Sequence, residues 1–239
     1  MSLRGADSFE FDGVVFFGRR LDEYVKMFDL KTDAMVGRKI LDCAAGPAAF
    51  AVQAAELGIS VVACDPMYEL DSTTLRTWID KDARMVGEKQ AKTPQFFHHE
   101  LEPTSRRRED MELFLADFEH GKSIGRYVAG RLPNLPFADA SFDFVLSGNL
   151  LFLYSDPRSG GMMEGSPFDY AFHSRAIAEL LRIARQEVRI YPLQGPNVKS
   201  HAYLSGIIAE CQKAGCKAEV VPVPQRDIIG AENMLRIAH

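Results

Sequence analysis

K-I-L-D-C-A-A-G-P-A-A-F-A-V-Q-A-A-E-L-G-I-S-V-V-A-C-D-P-M-Y, residues 39–68, is the stretch whose reading decides the fold of this chain. Ile40 and Leu41 lead into Asp42, a short apolar run that fits a buried parallel strand. Ala44, Ala45 and Gly46 follow, small residues where the backbone can turn sharply and let a ligand approach. Pro47 suits the first position of a helix. Phe50, Ala54 and Leu57 fall at helical spacing, and Gly58 supplies the stop. A second strand, Ile59 to Cys64, ends on Asp65. The unit reads strand–turn–helix–strand with a carboxylate at each strand end, about 20 residues apart, the separation that nucleoside binding requires. A carboxylate at the second strand end can accept two hydrogen bonds from ribose hydroxyls.

Working outward, residues before Lys39 form a lead-in arm (residues 1–36) with one helix, about Arg19 to Leu30, whose apolar stripe is Leu21, Tyr24, Val25 and Phe28. After Asp65, Pro66-Met67-Tyr68 offers apolar surface for an adenine ring. A helix capped by Asp71 or Ser72 runs towards Ala91, and Pro94 breaks it. A second helix, about Arg107 to His120, carries Met111, Phe114, Leu115 and Phe118, and Gly121 ends it. A crossover needs only about a dozen residues, so residues 69–123 read as a helical insertion within one domain spanning residues 1–239. Ile124 to Gly130 is the third strand and Phe142 to Leu146 the fourth. Ser155 to Ser166 reads as a glycine-rich loop and a mobile lid. Ser166, Pro167 and Asp169 then look like a capping box opening the next helix. Glu187 to Tyr191 supplies strand five, Asn197 caps a helix stopped at Gly215, and Lys217 to Val223 and Asn233 to Ala238 are the last strands.

With 46% hydrophobic and 26% charged residues, the 239-residue chain has the balance of a globular protein able to bury a sizeable core. The formal charge of −5 disfavours a nucleic-acid groove, and Arg106 to Arg108 is the only basic run, so no nucleic-acid partner is expected. No apolar run is long enough to span a bilayer, and Arg4, Asp7 and Glu10 interrupt any secretory leader, so no membrane insertion and a cytoplasmic location are expected. Four cysteines without C-x-x-C spacing argue against zinc or redox roles. His98-His99-Glu100 invites a metal reading, but adjacent residues do not share a face of regular structure. No metal is expected.

The dinucleotide fingerprint G-x-G-x-x-G is absent, since its positions read Ala44, Gly46 and Ala49. The stretch instead resembles motif I of the class I S-adenosylmethionine-dependent methyltransferases, D/E-x-G-x-G-x-G. Asp42 and Gly46 match it, while Ala44 and Ala48 depart. L-P-F-A-D-A-S-F-D-F-V-L, residues 135–146, is similar to the L-P-F-x-D-x-S-F-D-x-V segment of the small-molecule members of that family, although Arg131 stands where those members often carry an acid. The resemblance covers about Gly37 to His239, outside the arm and the insertion. It implies an α/β fold: a doubly wound seven-strand, mostly parallel Rossmann-like sheet, preceded here by the N-terminal helical arm and enlarged at the crossover after strand two.

The resemblance also implies the cofactor S-adenosyl-L-methionine and a small-molecule methyl acceptor. Asp42 would organise the methionine amino group, Ala44 and Gly46 would lie under the methionine, and Asp65 would hold the ribose. Pro66 and Met67 would flank adenine, with Leu132 across it, and Ser147 and Asn149 would face the sulfonium. Phe17, Arg19 and Tyr24 of the arm would close over the cofactor, with Arg19 pairing its carboxylate. In-line methyl transfer needs mainly alignment; if a base is used, His173, Tyr154 and Asp156 are the candidates. A non-catalytic module that binds the cofactor or another nucleoside through a degenerate motif I is the alternative. The sequence leaves the acceptor and the oligomeric state open.

Overall fold

The computed structural model describes residues 9–98, 104–196, 200–225 and 228–239. The arm contributes α1 (Leu21–Met27) and the short α2 (Thr32–Met35). Next come β1 (Lys39–Cys43), α3 (Phe50–Glu56), β2 (Ser60–Cys64), α4 (Ser72–Lys92) and α5 (Thr104–Ser123). The second half carries β3 (Tyr127–Val128), β4 (Phe142–Gly148), α6 (Tyr170–Ile183), β5 (Ala184–Tyr191), α7 (Leu204–Lys213), β6 (Lys217–Pro222) and β7 (Asn233–Ala238). They build one seven-stranded sheet of order β3-β2-β1-β4-β5-β7-β6. The first five strands are parallel to one another, and β7 is antiparallel to both β5 and β6. This is the doubly wound, mostly parallel sheet expected. Strand order reverses beside β1, with β2 on one flank and β4 on the other, and open α/β sheets leave a crevice at such a point.

The central strands are apolar because helices cover both faces: Ile40, Leu41, Val145 and Leu146 are at most 1% exposed. The arm is part of this core rather than a detachable cover. Met27 and Phe28 are fully buried, and the Tyr24 ring stacks on Phe50 of α3 at 4.1 Å between centroids. Removing residues before Lys31, expected from the sequence to impair ligand binding more than folding, would therefore take out core residues.

Several boundaries differ from the sequence reading. Pro47 does not open α3, which begins at Phe50. Residues 44–49 stay outside the helix because the arm crosses them: Ala49 N–H donates to the Arg19 carbonyl at 3.0 Å, and a Cβ on Gly18 would lie 2.0 Å from the Pro47 oxygen. The arm helix is shorter than Arg19 to Leu30. α5 runs through Gly121, which sits against the Tyr127 ring, to Ser123. β3 holds only two residues, since Ile124 is exposed and Gly125 turns the chain at φ +77°. Asp169 alone caps α6, accepting from Phe172 N–H at 2.7 Å, while Ser166 Oγ donates to the Tyr154 carbonyl at 2.6 Å. Asn197, His99 and Glu100 lie outside the described residues. Among those described, no helix is long and apolar enough to cross a membrane.

The Ser155–Ser166 segment is built into the body and is not the mobile lid expected. Met162 and Met163 are at most 6% exposed. Backbone bonds tie Met162 to Leu153 and Phe11, Met163 to Ser155, Gly160 to Gly195 and Ser159 to Ala202. One of its glycines serves close packing: a Cβ on Gly161 would meet the Ser155 carbonyl at 2.1 Å.

Candidate functional site

A cavity of about 610 Å³ opens at the carboxyl ends of β1, β2 and β4, a size ordinary for small-molecule sites. Every cofactor candidate from the sequence lines it except Asp42 and Ser147. Ser147 is fully buried with its hydroxyl unpartnered and lies off the cavity, so it does not face the reacting centre as expected. β4 alternates its side chains between the two faces, and the next position on the wall is Gly148, followed by Asn149.

The turn after β1 is shaped by Gly46, at φ +58°, a conformation that costs glycine nothing. Neither Ala44 nor Ala48 has positive φ, so neither departure from motif I asks alanine for the left-handed backbone that favours glycine. Asp65, 6% exposed, ties this turn to the end of β2: Gly46 N–H donates to its Oδ2 and Met67 N–H to its Oδ1, both at 2.9 Å. Each carboxylate oxygen keeps a further lone pair. Burial pushes the Asp65 pKa up to about 6, against the pull of those two N–H groups and the charge of Arg131. Tyr68 closes the turn from below, its hydroxyl donating to the Gly46 carbonyl at 2.6 Å.

Asp42 is fully buried and does not reach the cavity wall. Tyr24 stands at the wall instead, donating its hydroxyl to Asp42 Oδ2 at 2.7 Å, while Asp42 Oδ1 has no partner. Desolvation raises the Asp42 pKa to about 7, and the nearby Asp65 charge adds to it. Asp42 thus meets the cavity through the Tyr24 hydroxyl rather than with its own oxygens.

Arg19 lines the same wall. It donates to Glu23 Oε1 at 2.9 Å and to Asn149 Oδ1 at 3.3 Å. Glu23, 3% exposed, also pairs with Arg107 of α5 at 2.7 Å and accepts from Arg20 N–H at 3.1 Å. One buried carboxylate thus fixes two guanidinium groups at the cavity.

The three candidate bases fare differently. His173 is fully buried off the cavity. Its Nε2 accepts from Phe152 N–H at 2.9 Å, and its Nδ1 faces the Asp169 carbonyl at 2.8 Å, so the proton sits on Nδ1 and both nitrogens are spent on backbone. Burial lowers its pKa. Asp156 is off the cavity too, accepts from Arg158 and Gly165 N–H groups, and is held down to about 2 by Arg158. Neither is placed to take a proton from a ligand. Tyr154 does line the cavity, its oxygen accepting from Val15 N–H at 3.2 Å, and burial raises its pKa well above the usual tyrosine value. His173→Ala is expected to leave ligand affinity unchanged and to cost about 1–3 kcal/mol of stability, because the buried Phe152 N–H loses its acceptor. Denaturant unfolding checks this beside a binding titration.

Sequence reasoning missed a face of α4. Trp78, Asp82, Val86 and Gln90, four residues apart, all line the cavity. The spacing is visible in the sequence, but the apolar positions Leu75, Trp78, Ile79 and Val86 did not single out the face that also carries Asp82 and Gln90. Arm residues 14–16 were missed as well; they line the cavity together with Phe17, Arg19 and Tyr24.

No family model matches the chain. An uncharacterised protein of Methanocaldococcus jannaschii is 28% identical over 203 residues, 82% of this chain and 85% of its own length. Among solved structures, a SAM-dependent methyltransferase from Aquifex aeolicus is 11% identical and covers 90% of this chain and 91% of its own, with a TM-score of 0.42. The magnesium protoporphyrin IX methyltransferase of Synechocystis, with bound SAH, is 12% identical, covers 87% and 76%, and scores 0.43. A putative S-adenosyl-L-methionine-dependent methyltransferase of Methanococcus maripaludis is 14% identical, covers 91% and 82%, and scores 0.41. At such identities and scores, function has to be read from the site itself.

Proposed function

We propose that the chain is an S-adenosylmethionine-dependent methyltransferase acting on a small-molecule acceptor. The observation that carries this reading is the Gly46–Asp65 junction. A buried carboxylate at the end of β2 holds the turn after β1 with both oxygens and keeps lone pairs for a diol, at the point where strand order reverses. The residues present fit such a cofactor. Asp65 would accept from the ribose, Pro66, Met67 and Leu132 would enclose the adenine, and Ala44 and Gly46 would lie against the methionine. Arg19, at the wall with Asn149, is the donor for the methionine carboxylate, in the geometry that suits guanidinium groups. When bound, the cofactor supplies an electrophilic methyl group on a sulfonium.

The chain's own contribution is alignment and exclusion of water. Phe16 and Phe17 from the arm, Leu150 after β4 and Met162 from the packed 155–166 segment give the cavity dry walls. No side chain in the Asp156 or His173 positions can serve as a base, so a proton leaving the acceptor goes elsewhere. Arg131, near Asp65 and donor only, takes the place of the acid that related motifs carry. Mass spectrometry of ligand released from the purified protein, followed by calorimetry with S-adenosylmethionine, tests the reading. Micromolar binding supports it. No binding up to millimolar ligand overturns it, and binding without turnover on any amine, hydroxyl or thiol acceptor leaves the non-catalytic module in its place.

A further inference from the structure

Asp82 is a carboxylate the cofactor does not account for. It lies on α4 within the helical insertion, is 4% exposed, and lines the cavity. Its Oδ2 accepts from Phe16 N–H at 2.8 Å. Its Oδ1 has no hydrogen-bond partner among the described residues, and no described cation stands within ion-pair distance of it. That oxygen is not sealed away from water but is open to the cavity, and partial burial of the carboxyl raises the Asp82 pKa. The position is not accidental in three dimensions. The adjacent N–H groups of Val15 and Phe16 are taken by Tyr154 and by Asp82, so two polar side chains from distant elements converge on one point of the arm.

The surroundings are apolar and aromatic apart from Lys81, whose ammonium lies 4.4 Å from the Trp78 ring centroid and beyond ion-pair distance of Asp82. Trp78 and Val86 flank Asp82 one turn away on either side of α4, and Phe16 and Tyr154 face the same cavity. A lone carboxylate among ring faces complements an ammonium group, which gains an ion pair and cation–π attraction together. A neutral hydroxyl gains only the hydrogen bond. Of the cavity's other charged groups, Arg19 and Arg107 are committed to Glu23, while Asp65 accepts from the Gly46 and Met67 N–H groups at the motif I turn with the charge of Arg131 nearby. With Asp65 assigned to the cofactor half, Asp82 is the carboxylate among the described lining residues left to neutralise a cation.

We propose that the Asp82 end of the cavity is the acceptor subsite, built for an apolar, ring-bearing amine whose ammonium group hydrogen-bonds Asp82 Oδ1 while its rings pack on Trp78 and Phe16. The word acceptor rests on the methyl-transfer reading; the amine subsite does not. The nitrogen held by Asp82 is an anchor, and the methyl-accepting atom is not assigned by it.

Trp78 is the chain's sole tryptophan and stands in the subsite wall, so its fluorescence reports occupancy. The rigid probes 2-aminoindane, 2-indanol and indane differ only in the group offered to Asp82. Titrated with saturating S-adenosylhomocysteine, 2-aminoindane is expected to bind at least about tenfold tighter than the other two, the step one charge-assisted hydrogen bond supplies. Asp82→Asn keeps an acceptor for Phe16 N–H but turns an amide NH₂ towards the cavity, and is expected to remove that preference while leaving indane within about twofold. Equal affinity for the three probes overturns the proposal, as does an amine preference that survives Asp82→Asn. Should that variant not fold, the wild-type order of the probes decides alone. Competition between 2-aminoindane and S-adenosylhomocysteine also overturns it, because the amine would then occupy the cofactor half. A protein that shows the Asp82-dependent preference yet binds no S-adenosylhomocysteine by calorimetry keeps the subsite and loses the methyl-transfer reading.

Discussion

Replacing Asp65 by alanine is expected to lower the affinity for S-adenosylmethionine by at least about 100-fold. Two charge-assisted hydrogen bonds to ribose hydroxyls are worth roughly 1.5–3 kcal/mol each, and every 1.4 kcal/mol is about tenfold. The loss is compounded because the same carboxylate accepts from Gly46 and Met67 N–H groups. Without it the turn after β1 and the start of the following segment are no longer tied, and the cradle itself loosens. Asp65→Asn separates the two effects. Its single carbonyl oxygen can serve one of those N–H groups, and its NH₂ then confronts the other, so binding is expected to fall nearly as far as in Asp65→Ala. Asp42→Asn is expected to do much less, since Asp42 is off the cavity and reaches a ligand only through Tyr24. Calorimetry on folded variants, checked by circular dichroism, decides. Wild type and Asp65→Ala binding alike would remove the ribose assignment and with it the main support for the proposed activity.

The parts of the site legible in the sequence are those whose partners are near in the chain or set by one strand–turn–helix–strand unit. Gly46 and Asp65 are readable because small residues and a strand-end carboxylate have local causes. Boundaries shifted wherever a distant segment intervened. Pro47 satisfies the local rule for a helix start, yet the arm crossing at Gly18 and Arg19 keeps residues 44–49 out of the helix. His173 could not be read either way. Its role depends on Phe152, whose N–H is turned inward from a residue at φ +64°. Ser155 to Ser166 has the glycines of a flexible loop, but Gly161 permits a close contact with the Ser155 backbone and the segment is packed. The α4 stripe shows the remaining limit: helical period reveals that a face exists, while which face meets a cavity is fixed by tertiary partners such as Phe16, 66 positions away from Asp82.

The stability of the ligand-free protein is expected to fall as pH rises from about 4 to 7, and Asp42→Asn is expected to abolish most of that fall. An unfolded aspartate titrates near 3.9, whereas burial raises Asp42 to about 7 in the folded chain. Between those values the native state keeps a proton that the unfolded chain has released, so stability declines through the window. Below about pH 4 both states are protonated and nothing is lost; above about 7 both are ionised and the loss is complete. Roughly three pKa units at about 1.36 kcal/mol each put the total near 4 kcal/mol. The amide introduced by Asp42→Asn would still accept the Tyr24 hydroxyl bond while carrying no charge, so the variant should gain several kcal/mol at pH 8 and almost nothing at pH 4. Asp65, raised to about 6, adds a second and smaller decline of the same sign. The Asp42→Asn curve should therefore still slope from about pH 4 to 6 and flatten above, where wild type continues to fall. Urea unfolding at pH 4, 6 and 8 measures both curves. Parallel curves above pH 6 would mean that the unpartnered Asp42 oxygen carries no such burden. A cationic ligand bound beside Tyr24 would favour the ionised form, so the affinity of wild type for S-adenosylmethionine should rise across the interval in which its ligand-free stability falls, and that of Asp42→Asn should not.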